Sequence, residues 1–392
     1  MRLWRVCSLA AFAWYLFLAV LHFSNLRPLW NDEQCVFWSI QSFSSADFFR
    51  RELVALQVFP HLYLWLIKQV SSLFNYSLLS LRFLSFIAMI GAFFIWSGLA
   101  RKQLASEKLL ALFFLSWAAS TPLVYYASEL KQYSFDVLAA GCFLVFVAHQ
   151  ERLALKGKPG LYFVLLFLLP FLGLFAYPAF LFLIFPLWGL LQEKKHGRRA
   201  LAVYIAGCAI AVGISFWFDM RLRSKEVISG YGEYFILFSS VGDFLRTFFE
   251  GINNLIGRWF ASRPSWVRIF CRFFMVFGLV EMFLGTREFF QKKEKTNLPV
   301  QVIAGAVFFE LVILGALKAY PFTVPRTSLF FCPILFLLAL LSFKRIETSS
   351  PRWGLSLQAV YLLVVLFFSL AVTRMALSAS IGQDITQWLP FK

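Results

Sequence analysis

Two adjacent carboxylates, Asp32 and Glu33, follow the first long apolar segment of the chain. A carboxylate at a membrane surface is partly desolvated, and desolvation raises its pKa toward the range of a useful general base. Acidic residues also favour the start of a helix. A solvated pair that caps a helix beginning near Cys35 is therefore the structural alternative, and the pair alone does not choose between the two.

A second polar group occupies Tyr125–Asp136, a short turn between two apolar segments. If the chain is helical from Glu129 onward, side chains spaced i, i+3, i+4 and i+7 share one face. These side chains are Glu129, Gln132, Tyr133 and Asp136. Asp136 then enters a membrane span, where an ionisable group is a functional hypothesis by default. The alternative is a buried Asp136 that pairs with a cation and locks two helices together.

Cations on the predicted outer side form a third group, and two of them, Lys318 and Arg326, stand in a short turn that contains prolines. Arg recognises phosphate through planar, bidentate contacts, and Lys offers a point charge. We therefore expect an anionic ligand here, with Lys131 and Arg82 on the same side. For each cation the alternative is anchoring to lipid headgroups. His61 also lies on this side, either near substrate or filling an interfacial position.

The composition predicts an integral membrane protein throughout. Of the 392 residues, 60% are hydrophobic and 50 are Phe, whereas soluble domains are roughly 45–50% apolar. The four His and six Cys show no metal-binding spacing, and no Gly-rich phosphate loop is present. The chain therefore offers no nucleotide site, and an activated substrate must arrive from the membrane.

The distribution of the net charge of +17 predicts orientation and argues against nucleic acid as a partner. About half of the 37 Lys and Arg fall in short connectors between apolar runs. Such connectors are typical of cytoplasmic loops. They are Met1–Arg5, Arg101–Lys108, His149–Lys158, Glu193–Arg199, Arg287–Lys295 and Lys344–Arg352. We predict an all-α fold of about eleven transmembrane helices, with a cytoplasmic N-terminus.

Two predicted outer loops, 24–79 and 219–266, are long enough to contain structure. Within them Phe59–Lys68 and Val241–Trp259 have aromatic and apolar residues at helical spacing, which predicts amphipathic juxtamembrane helices. The apolar run Leu161–Gln192 exceeds the roughly 20 residues of one span. A turn near Gly173 is therefore expected to divide it into two short spans.

Five short motifs follow one another in a recognisable order. They are Asp32-Glu33 after the first span, Phe59–Trp65, Leu81–Ser85 at the start of the second span, Ser128–Ser134 after the third, and Tyr320–Arg326 late in the chain. In this order the chain resembles the GT-C superfamily of polyprenyl-phosphate-sugar-dependent glycosyltransferases. That group includes the protein O-mannosyltransferases and the lipid A aminoarabinose transferase. The likeness covers mainly residues 1–190, and His61 stands where the family pattern has a second Pro.

The resemblance implies an inverting hexosyl- or pentosyltransferase. It would move a sugar from a polyprenyl phosphate to an acceptor glycan, lipid or protein on the periplasmic face of a bacterial inner membrane. Residues 1–192, with outer loop 24–79, would be a GT-C-like catalytic module. Residues 193–392, with loop 219–266, would be a variable module. A divalent metal, which some relatives use, stays open, and no other cofactor is implied.

The resemblance also implies roles for individual residues. Asp32 would deprotonate the acceptor, and Glu33 would support it. The residues expected to bind the sugar or the phosphate are Glu129, Lys131, Gln132, Asp136, Lys318, Arg326, His61 and Arg82. Two other functions stay open, a transporter or flippase for an anionic lipid-linked substrate and a non-catalytic assembly subunit. The first would more often show paired broken helices in two related halves, and the sequence shows no such symmetry.

Overall fold

The computed structural model describes residues 2–156, 159–193, 197–222, 234–260, 265–291, 298–322, 324–379 and 381, and within these ranges it is helical without a strand. The helices of the first half are α1 (Arg2–Ser24), α2 (Asn31–Ser42), α3 (His61–Ser72), α4 (Leu78–Leu104), α5 (Glu107–Ala119), α6 (Thr121–Tyr125), α7 (Tyr133–Lys156), α8 (Pro159–Leu168) and α9 (Ile184–Gln192). Those of the second half are α10 (Gly197–Phe218), α11 (Val241–Gly257), α12 (Ser265–Gln291), α13 (Val300–Ala316), α14 (Cys332–Ser349) and α15 (Pro351–Leu377). Short 3-10 helices lie at Asp47–Phe49, Val54–Leu56, Tyr126–Ser128, Leu169–Leu174, Tyr177–Phe182, Met220–Leu222 and Pro325–Phe331.

Several of these helices are long and apolar enough to cross a membrane. Among the described residues there are seven, namely Arg2–Ser24, Leu78–Leu104, Tyr133–Ala154, Gly197–Leu222, Ile269–Gln291, Arg326–Ser349 and Pro351–Leu377. A bent pair, Glu107–Ala119 with Thr121–Ser128, makes an eighth if it is counted as one span. The chain is therefore a multi-pass, all-α membrane protein, as its composition predicts.

Two helices, α5 and α14, form the centre of the bundle. Every residue of α5 from Leu109 to Ala119 is buried, and so is every residue of α14 from Cys332 to Leu340. Other spans bury one side and leave large apolar residues exposed on the other, among them Phe17, Phe94 and Leu363. A helix that is apolar all round is placed in the interior, whereas a one-sided helix lines the periphery.

A sharp bend after α5 delivers the chain to the candidate site. The axis turns by 68° between Glu107–Ala119 and Thr121–Ser128. Pro122 stands in the first turn of the second piece, where its missing N–H costs no hydrogen bond. The bent piece leads directly to Glu129 and Lys131, before α7 begins at Tyr133. The bend therefore decides where these two charged side chains lie.

The predicted division of the long apolar run and the predicted amphipathic helices are present. The run Leu161–Gln192 divides into Gly160–Leu174 and Tyr177–Gln192. Helix α3 buries Tyr63, Leu64 and Ile67, whereas α11 leaves Val241, Leu245 and Phe249 exposed along one side. Of predicted loop 219–266, residues 223–233 and 261–264 lie outside the described residues.

Helix α10 approaches α8 closely at Gly207, which yields a testable prediction. A Cβ atom at Gly207 would lie 2.5 Å from the backbone oxygen of Phe167, whereas nothing lies within 4 Å of a Cβ at Gly213 on the same helix. Overpacking of this kind costs about 1–3 kcal/mol. We therefore expect Gly207→Ala to lower the melting temperature in detergent. The matched control Gly213→Ala is expected to leave it unchanged or raise it, and equal effects of the two would contradict this packing.

Candidate functional site

The first turn of α2 separates the two adjacent carboxylates. Helix α2 begins at Asn31, four residues before the predicted start near Cys35. Consecutive residues of a helix point about 100° apart, since 3.6 residues complete a turn. Glu33 is completely buried, whereas Asp32 keeps 15% of its side chain exposed. The two residues therefore enter different surroundings.

Asp32 is bound by two cations that are distant in sequence. Its Oδ2 atom lies 2.9 Å from Lys131 Nζ and 2.7 Å from Arg326 Nη1. Lys131 comes from the turn before α7, and Arg326 from the 3-10 helix Pro325–Phe331 that leads into α14. The structure thus brings together three of the predicted site residues.

The charge state of Asp32 differs from the expectation. Burial by itself raises the pKa of Asp32, but the charges and hydrogen bonds of Lys131 and Arg326 outweigh burial and hold the pKa below its ordinary value. The expectation of a raised pKa was therefore wrong. Its physical reason, desolvation, is present, but the sequence did not reveal that two cations share the carboxylate.

Glu33 forms a separate, buried ion cluster. Its Oε2 atom lies 2.7 Å from Arg27 Nη1 and 2.8 Å from Arg82 Nη2. Its Oε1 atom accepts from Arg82 Nε at 3.1 Å and from the backbone N–H of Leu130 at 2.8 Å. Glu33 thereby connects α2 to α4 and to the turn that carries Lys131. The predicted ligand Arg82 is engaged in this cluster.

Arg27 is a site residue that the sequence analysis did not select. It pairs with Glu33, and its guanidinium lies 4.6 Å from the centre of the Tyr125 ring. It satisfies the criterion applied to the other cations, because it follows the first span on the predicted outer side. Applied uniformly, that criterion identifies it.

Glu129 is completely enclosed, with only one oxygen bonded. Trp30 Nε1 donates to its Oε1 at 2.9 Å, and its Oε2 has no hydrogen-bond partner among the described residues. Burial, followed by the neighbouring charge of Glu33, raises the pKa of Glu129 to about 8. Its backbone is extended, and α7 begins only at Tyr133. Glu129 therefore does not share the predicted helical face.

A cavity of about 140 Å³ lies beside the Asp32 cluster. Its charged and polar lining comprises Gln57, Lys131, Gln132, Asp136, Lys318, Arg326 and Thr327, and its aromatic lining comprises Phe59, Tyr133, Tyr177, Tyr234, Phe235 and Tyr320. A water needs roughly 10–15 Å³ by this kind of measure. The cavity is therefore roughly ten times the minimum size for one water, which is enough to admit a sugar ring.

Two polar side chains of the cavity carry atoms without a partner. Asp136 is 2% exposed, and neither its Oδ1 nor Gln132 Oε1 has a hydrogen-bond partner among the described residues. Asp136 makes no ion pair there either, so the alternative of a helix-locking pair is not found. Because unsatisfied buried polar atoms are costly, both side chains are suited to accept hydrogen bonds from a ligand.

Lys318 stands at the cavity in an unusual backbone conformation. It follows the end of α13 with φ at 57°, in the left-handed region where Gly is the usual residue after a helix. Its side chain is exposed and makes no ion pair among the described residues. Lys131 and Arg326 share one carboxylate, which leaves one positive charge uncompensated, and Lys318 adds a second.

His61 lies outside the cavity lining. Its backbone N–H donates to Asp219 Oδ1 at 3.2 Å, and its ring Nδ1 contacts the backbone oxygen of Phe48. Tyr177 links the two regions, because its hydroxyl donates to Phe59 O at 2.6 Å and lies 3.2 Å from Asp219 Oδ2. These contacts of His61 thus hold the start of α3 in place, outside the aromatic lining of the cavity.

Comparisons with known proteins found nothing similar, since no family model, no curated protein and no solved structure matches the chain. Within the described parts of the chain, no three His, Cys, Asp or Glu side chains form a group that could hold a metal ion. Any functional assignment therefore depends on the geometry of the Asp32 cluster and its cavity.

The raised pKa of Glu129 predicts how stability depends on pH. The folded protein holds the proton up to about pH 8, whereas the unfolded chain releases it near 4.5. Between these values the unfolded state binds fewer protons, so stability falls as pH rises. We expect Glu129→Gln to remove this part of the decline. Its melting temperature should match that of the original protein near pH 5 and exceed it above pH 8. A constant difference across this range would contradict a protonated Glu129.

The backbone of Lys318 predicts a separation between stability and binding. A left-handed non-glycine residue costs about 1–2 kcal/mol, so Lys318→Gly should raise the melting temperature while it removes the charge. Ala105→Gly is the matched control, because Ala105 also has a left-handed backbone, with φ at 49°, at the end of α4. Both variants should be stabilised, but only Lys318→Gly should weaken binding of a phosphate ester. If Lys318→Gly alone lowered the melting temperature, the lysine side chain would stabilise the fold, and the prediction would be wrong.

Proposed function

We propose that the protein is an integral membrane glycosyltransferase that moves a sugar from a polyprenyl phosphate to an acceptor hydroxyl or amine with inversion. The observation that carries the proposal is the position of Asp32. It is a carboxylate held by Lys131 and Arg326, and both cations line a cavity of sugar size. A base, a pair of phosphate-binding cations and a polar pocket are the parts that this reaction needs.

Asp32 acts as the general base. The acceptor oxygen or nitrogen attacks the anomeric carbon, its proton passes to Asp32, and the bond between the anomeric carbon and the phosphate oxygen breaks. Asp32 keeps Oδ1 without a hydrogen-bond partner in the described residues, so this oxygen is open to the acceptor. A positioned base contributes about 10²–10⁴-fold to the rate.

The cations stabilise the phosphate that leaves. As the glycosidic bond breaks, the phosphate oxygen takes the bonding electron pair and gains a negative charge. Lys131, Arg326 and Lys318 line the cavity where this charge develops. Charge that is organised in advance around a developing anion is usually the largest single contribution to catalysis.

The aromatic and acidic part of the cavity holds the sugar. Asp136 and Gln132 accept hydrogen bonds from sugar hydroxyls with their unpartnered oxygens. The rings of Tyr133, Tyr177 and Tyr320 enclose the remaining surface. Small-molecule pockets commonly combine apolar walls with a few convergent polar groups that fix the orientation of the ligand.

A mostly apolar groove, which shares α7 with the sugar pocket and also has His149 and Arg152 in its lining, offers a place for the isoprenoid chain. A cavity of about 750 Å³ is lined by Ile95 of α4, by Cys142, Val145 and Phe146 of α7, and by Leu165 and Leu168 of α8. Asp136 precedes Cys142 on α7 by six residues, or about 9 Å at 1.5 Å per residue. One helix therefore contributes to both the sugar pocket and the groove.

The proposal includes a GT-C-like arrangement with eleven crossings. Counting the bent pair and the three shorter apolar helices, Gly160–Leu174, Tyr177–Gln192 and Val300–Ala316, brings the candidate crossings to that number. With a cytoplasmic N-terminus, one crossing precedes loop 24–79 and seven precede loop 219–266, so on this proposal both loops and the Asp32 cluster face the outside. A bacterial inner membrane and an acceptor glycan, lipid or protein belong to the same proposal.

The decisive experiment replaces the base. Membranes containing Asp32→Asn, assayed with a radiolabelled polyprenyl-phosphate sugar, should transfer sugar at least about 10²-fold more slowly than the original protein. Glu250→Gln is the control, because it makes the same carboxylate-to-amide change at an exposed position of α11. It should keep full activity.

The outcomes separate the proposed enzyme from its alternatives. Full transfer by a folded Asp32→Asn variant would refute Asp32 as the base. Movement of the labelled lipid across the membrane without transfer would support a transporter or flippase instead. Asp136→Asn, which replaces one acceptor oxygen of the sugar pocket by an N–H donor, should raise KM for the polyprenyl-phosphate sugar more than it changes binding of a phosphate ester that lacks a sugar.

A further inference from the structure

The two oxygens of Asp32 are used in different ways. Oδ2 lies within 2.9 Å of both Lys131 Nζ and Arg326 Nη1, whereas Oδ1 accepts no hydrogen bond from the described parts of the chain. The neighbouring Glu33, by comparison, has hydrogen bonds to both of its oxygens. In Asp32, Oδ2 is paired with both cations and Oδ1 is left open.

The two cations contact both Asp32 and the cavity. Lys131 and Arg326 belong to the cavity lining, whereas Asp32 does not. Lys131 also has partners away from Asp32, since its Nζ donates to Gln57 Oε1 at 3.0 Å and lies 4.4 Å from the centre of the Phe59 ring. Arg326 uses only Nη1 among its five N–H donors toward Asp32. Both can therefore turn toward an anion in the cavity without losing every contact.

We propose that Asp32 competes with the phosphate of the donor for Lys131 and Arg326, and that the cations pass from Asp32 to the phosphate as the sugar is transferred. This inference rests on the proposed function and adds a second role for the base. Asp32 is both the acceptor of the proton and the counter-ion that the leaving phosphate replaces.

The total negative charge near the two cations is almost the same before and after this exchange of partners. Before transfer the cations face two monoanions, the Asp32 carboxylate and the phosphodiester of the donor. The proton of the acceptor then neutralises Asp32, while the phosphate becomes a monoester with a charge of about −1.5 to −2 at neutral pH. The negative charge around the two cations is nearly unchanged in sum, but it has moved from Asp32 to the phosphate. The cations consequently follow it over a short distance.

The arrangement also explains how a carboxylate with a lowered pKa can serve as a base. While both cations rest on Asp32, it holds a proton poorly. When an anion in the cavity draws the cations away, burial dominates, and burial favours the protonated form. The basicity of Asp32 therefore rises as the cations shift from Asp32 to the phosphate during transfer.

The test measures equilibrium binding of a short isoprenyl phosphate monoester and of its methyl diester. The Asp32→Asn variant removes the competitor but keeps the shape, so it should bind the monoester more tightly, on the order of tenfold, the factor of a charge-assisted hydrogen bond. The gain should be smaller for the diester, which carries less charge. Equal or weaker binding of the monoester by folded Asp32→Asn would overturn the proposal, because a purely positioning Asp32 predicts that result.

A second comparison does not depend on the single Asp32→Asn variant. Lys131→Met leaves Arg326 fully paired with Asp32, so it should bind the monoester poorly. Adding Asp32→Asn removes one positive and one negative charge in total and frees Arg326. The double variant should therefore bind at least about tenfold more tightly than Lys131→Met alone. No gain from the second substitution would overturn the competition. Glu250→Gln, added to Lys131→Met instead, should leave binding unchanged.

The binding and transfer measurements distinguish failure of the competition from failure of the proposed glycosyltransferase activity. Tighter monoester binding without any sugar transfer by the original protein would keep the shared cations and reject the glycosyltransferase. Loss of transfer in Asp32→Asn without tighter binding would keep Asp32 as the base and reject the competition.

Discussion

The site depends on one buried carboxylate, Glu33, which is shared by two guanidinium groups and a backbone amide. Through Arg27, Arg82 and the N–H of Leu130 it connects the segment after the first span, the start of α4 and the turn before α7. Removing one partner of such a buried cluster leaves an uncompensated charge, at a cost of about 3–5 kcal/mol. Because the turn at Leu130 is held, Lys131 is presented at the cavity.

The neighbouring Asp32 lies in the same helix turn but has different ion-pair partners. Since successive helical residues diverge by about 100°, one carboxylate of the pair enters the interior and the other reaches the cavity wall. Both oxygens of Glu33 accept hydrogen bonds, whereas one oxygen of Asp32 accepts none from the described residues, and its two cations also line the cavity. This difference favours Asp32 over Glu33 as the reacting group. It also gives Glu33 a positioning role that needs no metal ion.

Much of the fold follows from local patterns. Apolar runs and basic connectors predicted the spans, and the helical spacing of Val241–Trp259 predicted α11. These features depend on hydropathy and periodicity, which a short window contains. The central position of α5 and α14 was not predictable in this way. Their composition resembles that of the peripheral spans, and only packing decides which apolar helix meets lipid and which meets protein.

Residue types and the order of the motifs selected Asp32, Lys131, Asp136, Lys318 and Arg326 as members of one outer site, and the structure gathers all five at one cavity and its wall. The sequence by itself determined that costly charges occur in a lipid-soluble chain and hence need partners or ligands. It did not determine the partners, which made the expected pKa of Asp32 wrong, left out Arg27, and gave Glu129 a place on a helical face that it does not have. Only the tertiary structure assigned Arg82 to Glu33 and Lys131 with Arg326 to Asp32. The reason is physical: an ion pair forms through space over about 3 Å, between side chains that the chain order separates by up to 294 positions.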